Sequence, residues 1–157
     1  MAKYYTIIDG QCEESLVDWL KTKGHKFGHT IVRALIDVMH IERAFSMIDY
    51  DSVLTIIVDT DTINNTTTTL NNRLINNIDF FRKNVKTVVV LTSNKCFEDE
   101  LVKALNLPNQ AALFRLCSVS NIEGFKKKIN KSTTDELDNL FTSIDFGKLW
   151  SDKLLNN

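Results

Sequence analysis

The fold is decided by one apolar run, Val53-Leu54-Thr55-Ile56-Ile57-Val58, which is followed by Asp59-Thr60-Asp61. Six consecutive aliphatic and β-branched residues predict a strand that is buried on both faces, as the strands of a parallel sheet are. The run stops at two aspartates, so the predicted strand delivers carboxylates at its carboxyl end. In open α/β sheets, ligands bind at that end of the strands.

Two further runs have the same character. Residues 4–8 end at Asp9-Gly10, and residues 86–91 are followed by Thr92-Ser93-Asn94. Each run predicts a buried strand that ends in polar residues. A weaker pattern over residues 111–119 predicts a short fourth strand.

Helical spacing of apolar residues fills the intervals between these strands. The predicted helices cover residues 13–23, 31–45, 70–81, 97–105 and 122–129, and a closing helix with a capping segment covers about 135–157. Strands that alternate with helices favour a mostly parallel sheet of about four strands with helices on both faces. The sequence thus predicts one α/β, Rossmann-like domain over residues 1–157.

Length and composition limit the class of protein. The chain has 157 residues, 43% hydrophobic and 25% charged, which fits one globular domain and excludes a disordered or fibrous chain. The net charge of -1 argues against a strongly basic nucleic-acid-binding domain, so any nucleic-acid contact needs a local patch. Since no stretch approaches the roughly 18 apolar residues of a spanning helix, we expect no membrane segment.

The three cysteines, Cys12, Cys96 and Cys117, are far apart and form no CxxC pair. This use of cysteine is typical of a reducing compartment and argues against a structural zinc site. We therefore expect a cytoplasmic protein. A thiol enzyme is disfavoured, because neither Cys12 nor Cys96 has a histidine nearby in the sequence.

Carboxylates follow two of the predicted strands and begin the helix after the first. If those strands are neighbours, Asp9, Asp59 and Asp61 converge at one edge of the sheet, and Glu13 and Glu14 lie one turn into the adjoining helix. Like charges held close together raise one another's pKa unless a cation neutralises them, and carboxylate oxygens suit Mg²⁺ or Mn²⁺. The pattern indicates a divalent-metal site.

Each of these residues also has an ordinary structural explanation. Aspartate at a strand end often caps the next helix, and Asp9-Gly10 is a common turn pair. Glutamates such as Glu13 are favoured in the first turn of a helix by its dipole. Lys126-Lys127-Lys128 is most simply a solvated helix face, and His25 and His29 are most simply parts of a polar loop.

Three stretches in this order resemble the landmarks of Toprim-fold proteins of the RloB-like group, which are related to the Toprim domains of OLD-family nucleases. They are residues 7–14 (Ile-Ile-Asp-Gly-Gln-Cys-Glu-Glu), 58–61 (Val-Asp-Thr-Asp) and 92–98 (Thr-Ser-Asn-Lys-Cys-Phe-Glu). The resemblance covers about the first two-thirds of the chain. It implies a Toprim-like domain that binds Mg²⁺ or Mn²⁺ and acts on or binds nucleic-acid phosphodiesters, as a nuclease in defence against phage and other mobile DNA.

The resemblance also implies roles for individual residues. Asp9 and Glu13 would be catalytic, and Asp9, Asp59 and Asp61 would bind the metal. The supporting residues would be Ser93, Asn94 and Glu98. Lys95 is a further candidate for a different reason: it follows the third predicted strand, at the edge that should hold the carboxylates, although it is as simply explained as a solvated loop residue. Asp9 stands where the family usually has glutamate, and Cys12 replaces a usual hydroxyl residue, so a site that binds metal without cleaving nucleic acid stays open.

Two other functions remain alternatives. In a receiver-like or flavodoxin-like signalling module, Asp59 would be phosphorylated, with Ser93 and Lys95 after the next strand. In a catalytically degenerate interaction protein, the site would have no catalytic activity. The small size of the chain also allows a homodimer or a partner subunit that completes the site.

Overall fold

The centre of the protein is a four-stranded, all-parallel sheet in a computed structural model that describes residues 1–59, 67–93 and 95–150. The strands are β1 (Tyr4–Ile8), β2 (His29–Val32), β3 (Val53–Asp59) and β4 (Thr87–Ser93), in the order β2-β1-β3-β4. The predicted α/β class, the parallel sheet and the three buried strands are confirmed.

The strand order reverses between β1 and β3. From β1 the chain crosses to β2 on one side, and β3 then pairs with the other side of β1, with Tyr5 opposite both His29 and Leu54. Ligands of doubly wound sheets bind outside the carboxyl ends of the strands at such a reversal. Asp9 and Asp59 lie at those two ends.

Helices cover both faces of the sheet, as predicted. The α-helices of the described residues are α1 (Gln11–Thr22), α2 (Ile41–Ala44), α3 (Thr68–Asn84), α4 (Phe97–Ala104), α5 (Gln110–Leu116), α6 (Ile122–Lys131) and α7 (Thr134–Leu140). Neighbouring strand residues serve opposite faces: Ile8 packs with α1, α4, α5, α6 and α7, whereas Ile7 packs with α2 and α3. Each face thus has its own apolar core.

The helix predicted over residues 31–45 is wrong. Residues His29–Val32 form the edge strand β2, a 3₁₀ turn follows at Leu35–Asp37, and only Ile41–Ala44 is α-helical. The apolar residues of this segment do pack on the core, but on an irregular backbone. The buried Asn77 side chain donates to two carbonyl oxygens of that backbone, those of Leu35 (2.8 Å) and Val38 (2.9 Å). Asn77 thus satisfies polar groups that a helix would have satisfied internally.

The strand predicted over residues 111–119 is also wrong, because Gln110–Leu116 forms α5. Asn109 caps this helix by accepting a hydrogen bond from the Ala112 backbone N–H at 3.0 Å. Its one fully buried side chain, Leu113, packs in the same core as α1 and α4. The fourth strand of the sheet is β2 instead.

The predicted closing helix and capping segment agree with the structure as far as residue 150. After α7, a 3₁₀ turn at Phe146–Lys148 leads to the buried residues Leu149 and Trp150. The Trp150 backbone N–H donates to the fully buried carboxylate of Glu100 at 2.7 Å, which ties this segment to α4. Within the described residues, no helix is long and apolar enough to span a membrane.

Candidate functional site

An open cleft of about 340 Å³ lies at the carboxyl ends of β1 and β3, next to the amino ends of α1 and α4. The charged residues that line it are Asp9, Glu13, Asp59, Glu98 and Lys126. Four of the predicted site residues therefore lie in one cleft. Lys126 is an addition to the predicted set.

The amino end of α1 positions two of these carboxylates. Asp9 follows β1 directly, Gly10 is the N-cap of α1, and Glu13 lies in its first turn with an exposed fraction of only 8%. A Cβ atom at Gly10 would lie 2.5 Å from Glu13 Oε2, so glycine leaves the space that this carboxylate occupies. Gly10 therefore does more than permit a turn, because its missing side chain leaves room for the Glu13 carboxylate in the cleft.

The ends of β3 and β4 position the third carboxylate. Asp59 and Ser93 are partners in the register of these two strands, and the Ser93 side chain is fully buried. A hydrogen bond from Ser93 to the Asp59 carboxylate lowers the pKa of Asp59. Glu98, in the first turn of α4, is 5% exposed.

Burial raises the pKa values of three carboxylates in the cleft, and negative charges raise them further: that of Asp37 for Asp9, and those of carboxylates in the cleft for Glu13 and Asp59. Burial raises the pKa of Asp59 from 3.8 to about 7, against the Ser93 hydrogen bond, and the charges of Glu13, Asp9 and Glu98 raise it further. Burial is also the largest cause of the raised pKa values of Asp9 and Glu13. At neutral pH, either a carboxyl group of this cluster stays protonated or a bound cation is needed to neutralise the charge.

The two cysteines at the cleft are poor nucleophiles. Burial raises the pKa of Cys12 to about 11 and that of Cys96 to about 12. The Cys96 thiol contacts Asp99 Oδ2 at 3.6 Å, and a carboxylate neighbour disfavours the thiolate further. The surroundings of both thiols therefore disfavour the thiolate form that a cysteine nucleophile requires.

Lys126 brings a positive charge to the cleft. It belongs to α6, whose buried residues Phe125 and Ile129 pack in the core with α1. The Lys126 charge lowers the pKa values of Glu13 and Cys12 against the larger effect of their burial. The sequence pattern predicts a solvated face for this lysine, because the pattern of one helix does not show which element packs beside it. The pairing of α6 with α1 is a tertiary feature without a sequence signal.

The other predicted residues are distributed as follows. Ser93 lies beside Asp59, whereas Lys95 is exposed in the turn before α4, with φ at 73°, and is not among the described residues that line the cleft. Asp61 and Asn94 fall outside the described residues. The ring of His25 lies 5.2 Å from that of Phe146, and the ring of His29 lies 6.2 Å from that of Tyr5, so neither histidine belongs to this site.

The donor chemistry of the cleft fits a hard divalent cation, because its carboxylate oxygens are the ligands that Mg²⁺ and Mn²⁺ prefer. Among the described residues, however, no three His, Cys, Asp or Glu side chains are grouped closely enough to hold an ion. Asp61, the second aspartate after β3, is not one of the described residues. A complete ligand set therefore requires Asp61 or a rearrangement of the described carboxylates.

Comparisons with known proteins give no match: no protein-family model, no curated protein and no solved structure matches the chain.

Proposed function

We propose that this protein is a Toprim-like, divalent-metal-binding protein that acts on or binds nucleic-acid phosphodiesters. The observation that carries the proposal is the convergence of Asp9, Glu13 and Asp59 in one cleft at the reversal of strand order. All three carboxyl groups have raised pKa values, which is what a cluster of carboxylates shows before a cation neutralises it. The resemblance to the RloB-like group supports the same chemistry.

Asp9, Asp59 and Asp61 would hold Mg²⁺ or Mn²⁺. The bound ion would polarise a phosphodiester oxygen and neutralise developing charge. Asp9 would also act as the general acid or base, and Glu13, which is close enough to Asp9 and Asp59 for their charges to interact, would assist it. Lys126, across the cleft on α6, would attract the phosphate and hold it against the carboxylates.

Cleavage and simple binding place different demands on Asp9. An aspartate is one methylene shorter than the glutamate usual at this position in the family, and a catalytic group displaced by about 1 Å loses much of its effect. Metal binding tolerates this difference better than catalysis does. Nuclease activity in defence against mobile DNA is therefore the stronger form of the proposal, and metal-dependent binding is the weaker form.

The first test is a titration of the purified protein with Mg²⁺ and Mn²⁺, followed by calorimetry and thermal melting. A ligand that binds only the folded state stabilises it by about 2.7 kcal/mol at 100 times its Kd, so we expect a saturable rise in Tm. Asp59→Asn combined with Asp61→Asn removes this rise. Asp51→Asn, at the amino end of β3, is the matched control and retains it.

The second test is cleavage of plasmid DNA, single-stranded DNA and RNA in the presence of the same ions. Cleavage that is lost in the Asp59→Asn variant but not in Asp51→Asn supports the nuclease. Metal binding without cleavage supports the weaker form. If neither ion changes the melting temperature of the wild-type protein, the metal-dependent function is wrong in both forms.

The strand order favours one second candidate, a receiver-like or flavodoxin-like signalling module. The order β2-β1-β3-β4 is that of the first four strands of the flavodoxin-like doubly wound fold, and Asp59 lies at its switch point. In this case a small phosphodonor such as acetyl phosphate adds one phosphoryl group at Asp59. Intact mass spectrometry of the wild-type protein and of Asp59→Asn tests this directly, since only the wild type gains the group.

A further inference from the structure

A second cleft, of about 290 Å³, lies next to the carboxylate cleft along α6. It is lined by Lys127, Lys128, Lys131, Ser132 and Glu136. We name the three lysines together the α6 lysine surface. The surface is local, because the whole chain has a net charge of -1.

Within the part of the chain that the structure describes, no ion pair neutralises the charges of the α6 lysine surface. The one carboxylate in the lining, that of Glu136, already accepts a hydrogen bond from the Thr133 backbone N–H at 2.8 Å in the capping box of α7. Three positive charges therefore face solvent in one concave place.

The two clefts share one helix. Lys126 lines the carboxylate cleft, and Lys127, the next residue, lines the second cleft. From Lys126 to Lys131 the helix rises about 7.5 Å, at about 1.5 Å per residue. A polyanion bound at the carboxylate cleft would thus meet the lysine surface within a short distance.

We propose that the α6 lysine surface binds the sugar-phosphate backbone of a nucleic acid and guides it to the carboxylate cleft. This inference rests on the proposed function. It adds a second contact, which holds the part of the nucleic-acid strand that lies beyond the carboxylate cleft. Lysines bind phosphates as point charges without reading sequence, so the contact is sequence-independent. An anionic membrane fits less well, because helices that bind membranes carry apolar side chains beside their lysines, and the lining of this cleft has none.

Fluorescence anisotropy tests the proposal with labelled single-stranded and duplex DNA of about 20 nucleotides, a length greater than one domain covers. The measurement is made in EDTA, so that no cleavage occurs, and over a series of salt concentrations. The test variant is Lys127→Gln, Lys128→Gln and Lys131→Gln combined. A matched control changes the exposed lysines Lys26, Lys83 and Lys86 to Gln; these precede β2 or β4, toward the amino ends of the strands.

We expect the test variant to bind at least about tenfold more weakly than the wild type at low salt. The slope of log K against log salt should become shallower by about 2.7 for duplex and about 2 for single strands, because three phosphate contacts are lost. The control variant should keep most of the wild-type affinity. An equal affinity and slope in the wild type and the test variant would overturn the proposal, as would binding to anionic vesicles without binding to either DNA.

Two further measurements separate this proposal from the others. Lys128 and Lys131 lie in the last turn of α6, where the helix dipole favours cations, so their replacement could also destabilise the fold. The melting temperatures of the variants are therefore compared with that of the wild type. Lys127→Gln, which leaves the last turn unchanged, is also tested alone. A weaker salt dependence in a fully folded Lys127→Gln protein supports the phosphate contact. If lysine-dependent DNA binding persists in a wild-type protein that shows no response to metal, the metal site is wrong and the lysine surface stands.

Discussion

Asp59 and Ser93 face each other across β3 and β4, and the Ser93 side chain hydrogen-bonds to a carboxylate whose pKa burial raises to about 7. The hydrogen bond favours the charged carboxylate, whereas burial and the charges of Glu13, Asp9 and Glu98 favour the protonated form. Burial and repulsion have a larger effect on the pKa than the Ser93 hydrogen bond, so Asp59 changes its charge near neutral pH.

This relationship predicts a pH-dependent effect of Asp59→Asn on stability. The folded state has a pKa near 7 against an ordinary 3.8, so between these values it binds more protons than the unfolded state. The free energy of unfolding of the wild type therefore falls as pH rises through that range. Asparagine carries no charge and escapes the penalty. The shift from 3.8 to about 7 corresponds to about 4 kcal/mol at about 1.4 kcal/mol per pKa unit, and the partial exposure of Asp59 to solvent reduces this value. We therefore expect Asp59→Asn to be more stable than the wild type at pH 8 by about 1 to 3 kcal/mol.

Urea unfolding of both proteins at about pH 4 and about pH 8 measures this difference. The advantage of Asp59→Asn should be absent at the lower pH, because the carboxyl group is then protonated in the folded wild type. Asp51→Asn is the control, since Asp51 is exposed at the other end of β3. The same pH dependence in all three proteins would show that Asp59 is not the titrating group.

The sequence was sufficient for the elements whose burial pattern is simple. β3 is buried on both faces and has an uninterrupted apolar run, so both its position and its polar end were predictable. β2 is an edge strand of four residues, none of which is buried, and its sequence merges with the apolar spacing of Leu35 and Ile36. The apolar residues of the strand and of the 3₁₀ turn pack in one core, and together they have the spacing of a helix, which is why the sequence predicts a helix there.

The candidate site likewise contains residues that the sequence could predict and one that it could not. Asp9 and Asp59 were predictable because strand ends of a parallel sheet meet at one edge, whatever the loops do. Lys126 was not, because its position depends on how α6 packs against α1, near the other end of the chain. Hydrophobic periodicity identifies which helix face is buried but not which element it is buried against.

A glycine substitution tests the entry to β2. Gly28 has φ at 67°, and a Cβ atom there would overlap the backbone carbonyl of Tyr4 in β1. Gly28→Ala should lower the free energy of unfolding by about 2 to 5 kcal/mol, from backbone strain together with overpacking. Gly24 has φ at 90° but open space around it, so Gly24→Ala should cost only about 1 to 2 kcal/mol. Equal midpoints in urea for the two variants would contradict the close approach of Gly28 to β1.

A buried glutamate tests the docking of the last described segment. Glu100 is fully buried, forms an ion pair with Lys103 at 2.9 Å and accepts the Trp150 backbone N–H. Glu100→Ala should cost about 1.5 to 3 kcal/mol, the range for hydrogen bonds to charged groups, and lower Tm by about 2 to 4 °C for each kcal/mol.

The same variant should be cleaved faster by trypsin at Lys148, because the Glu100 carboxylate holds the backbone just beyond that lysine. Glu42→Ala is the control, since Glu42 is exposed on the short helix α2. Unchanged proteolysis at Lys148 in a destabilised Glu100→Ala protein would mean that Leu149 and Trp150 are held by apolar packing alone.

The cysteines at the carboxylate cleft predict slow alkylation. Burial raises the pKa of Cys12 from 9.0 to about 11 and that of Cys96 from 9.0 to about 12. At pH 7.5, iodoacetamide should therefore label both thiols in the folded protein at least roughly 100-fold more slowly than in the unfolded protein. Because the thiolate is the reactive form, the rate should rise about tenfold for each unit of pH.

Peptide mass spectrometry after timed labelling gives the rate at each cysteine. Cys117, the buried C-cap residue of α5, provides an internal reference for a thiol away from the cleft. If labelling of Cys12 were fast at neutral pH and independent of pH, the cleft would contain a stabilised thiolate. A thiolate beside Glu13 and Glu98 requires a compensating cation, so that result would mean that the Lys126 charge outweighs the burial and the two carboxylates. Slow labelling at both cleft positions instead leaves the carboxylates as the groups available for chemistry.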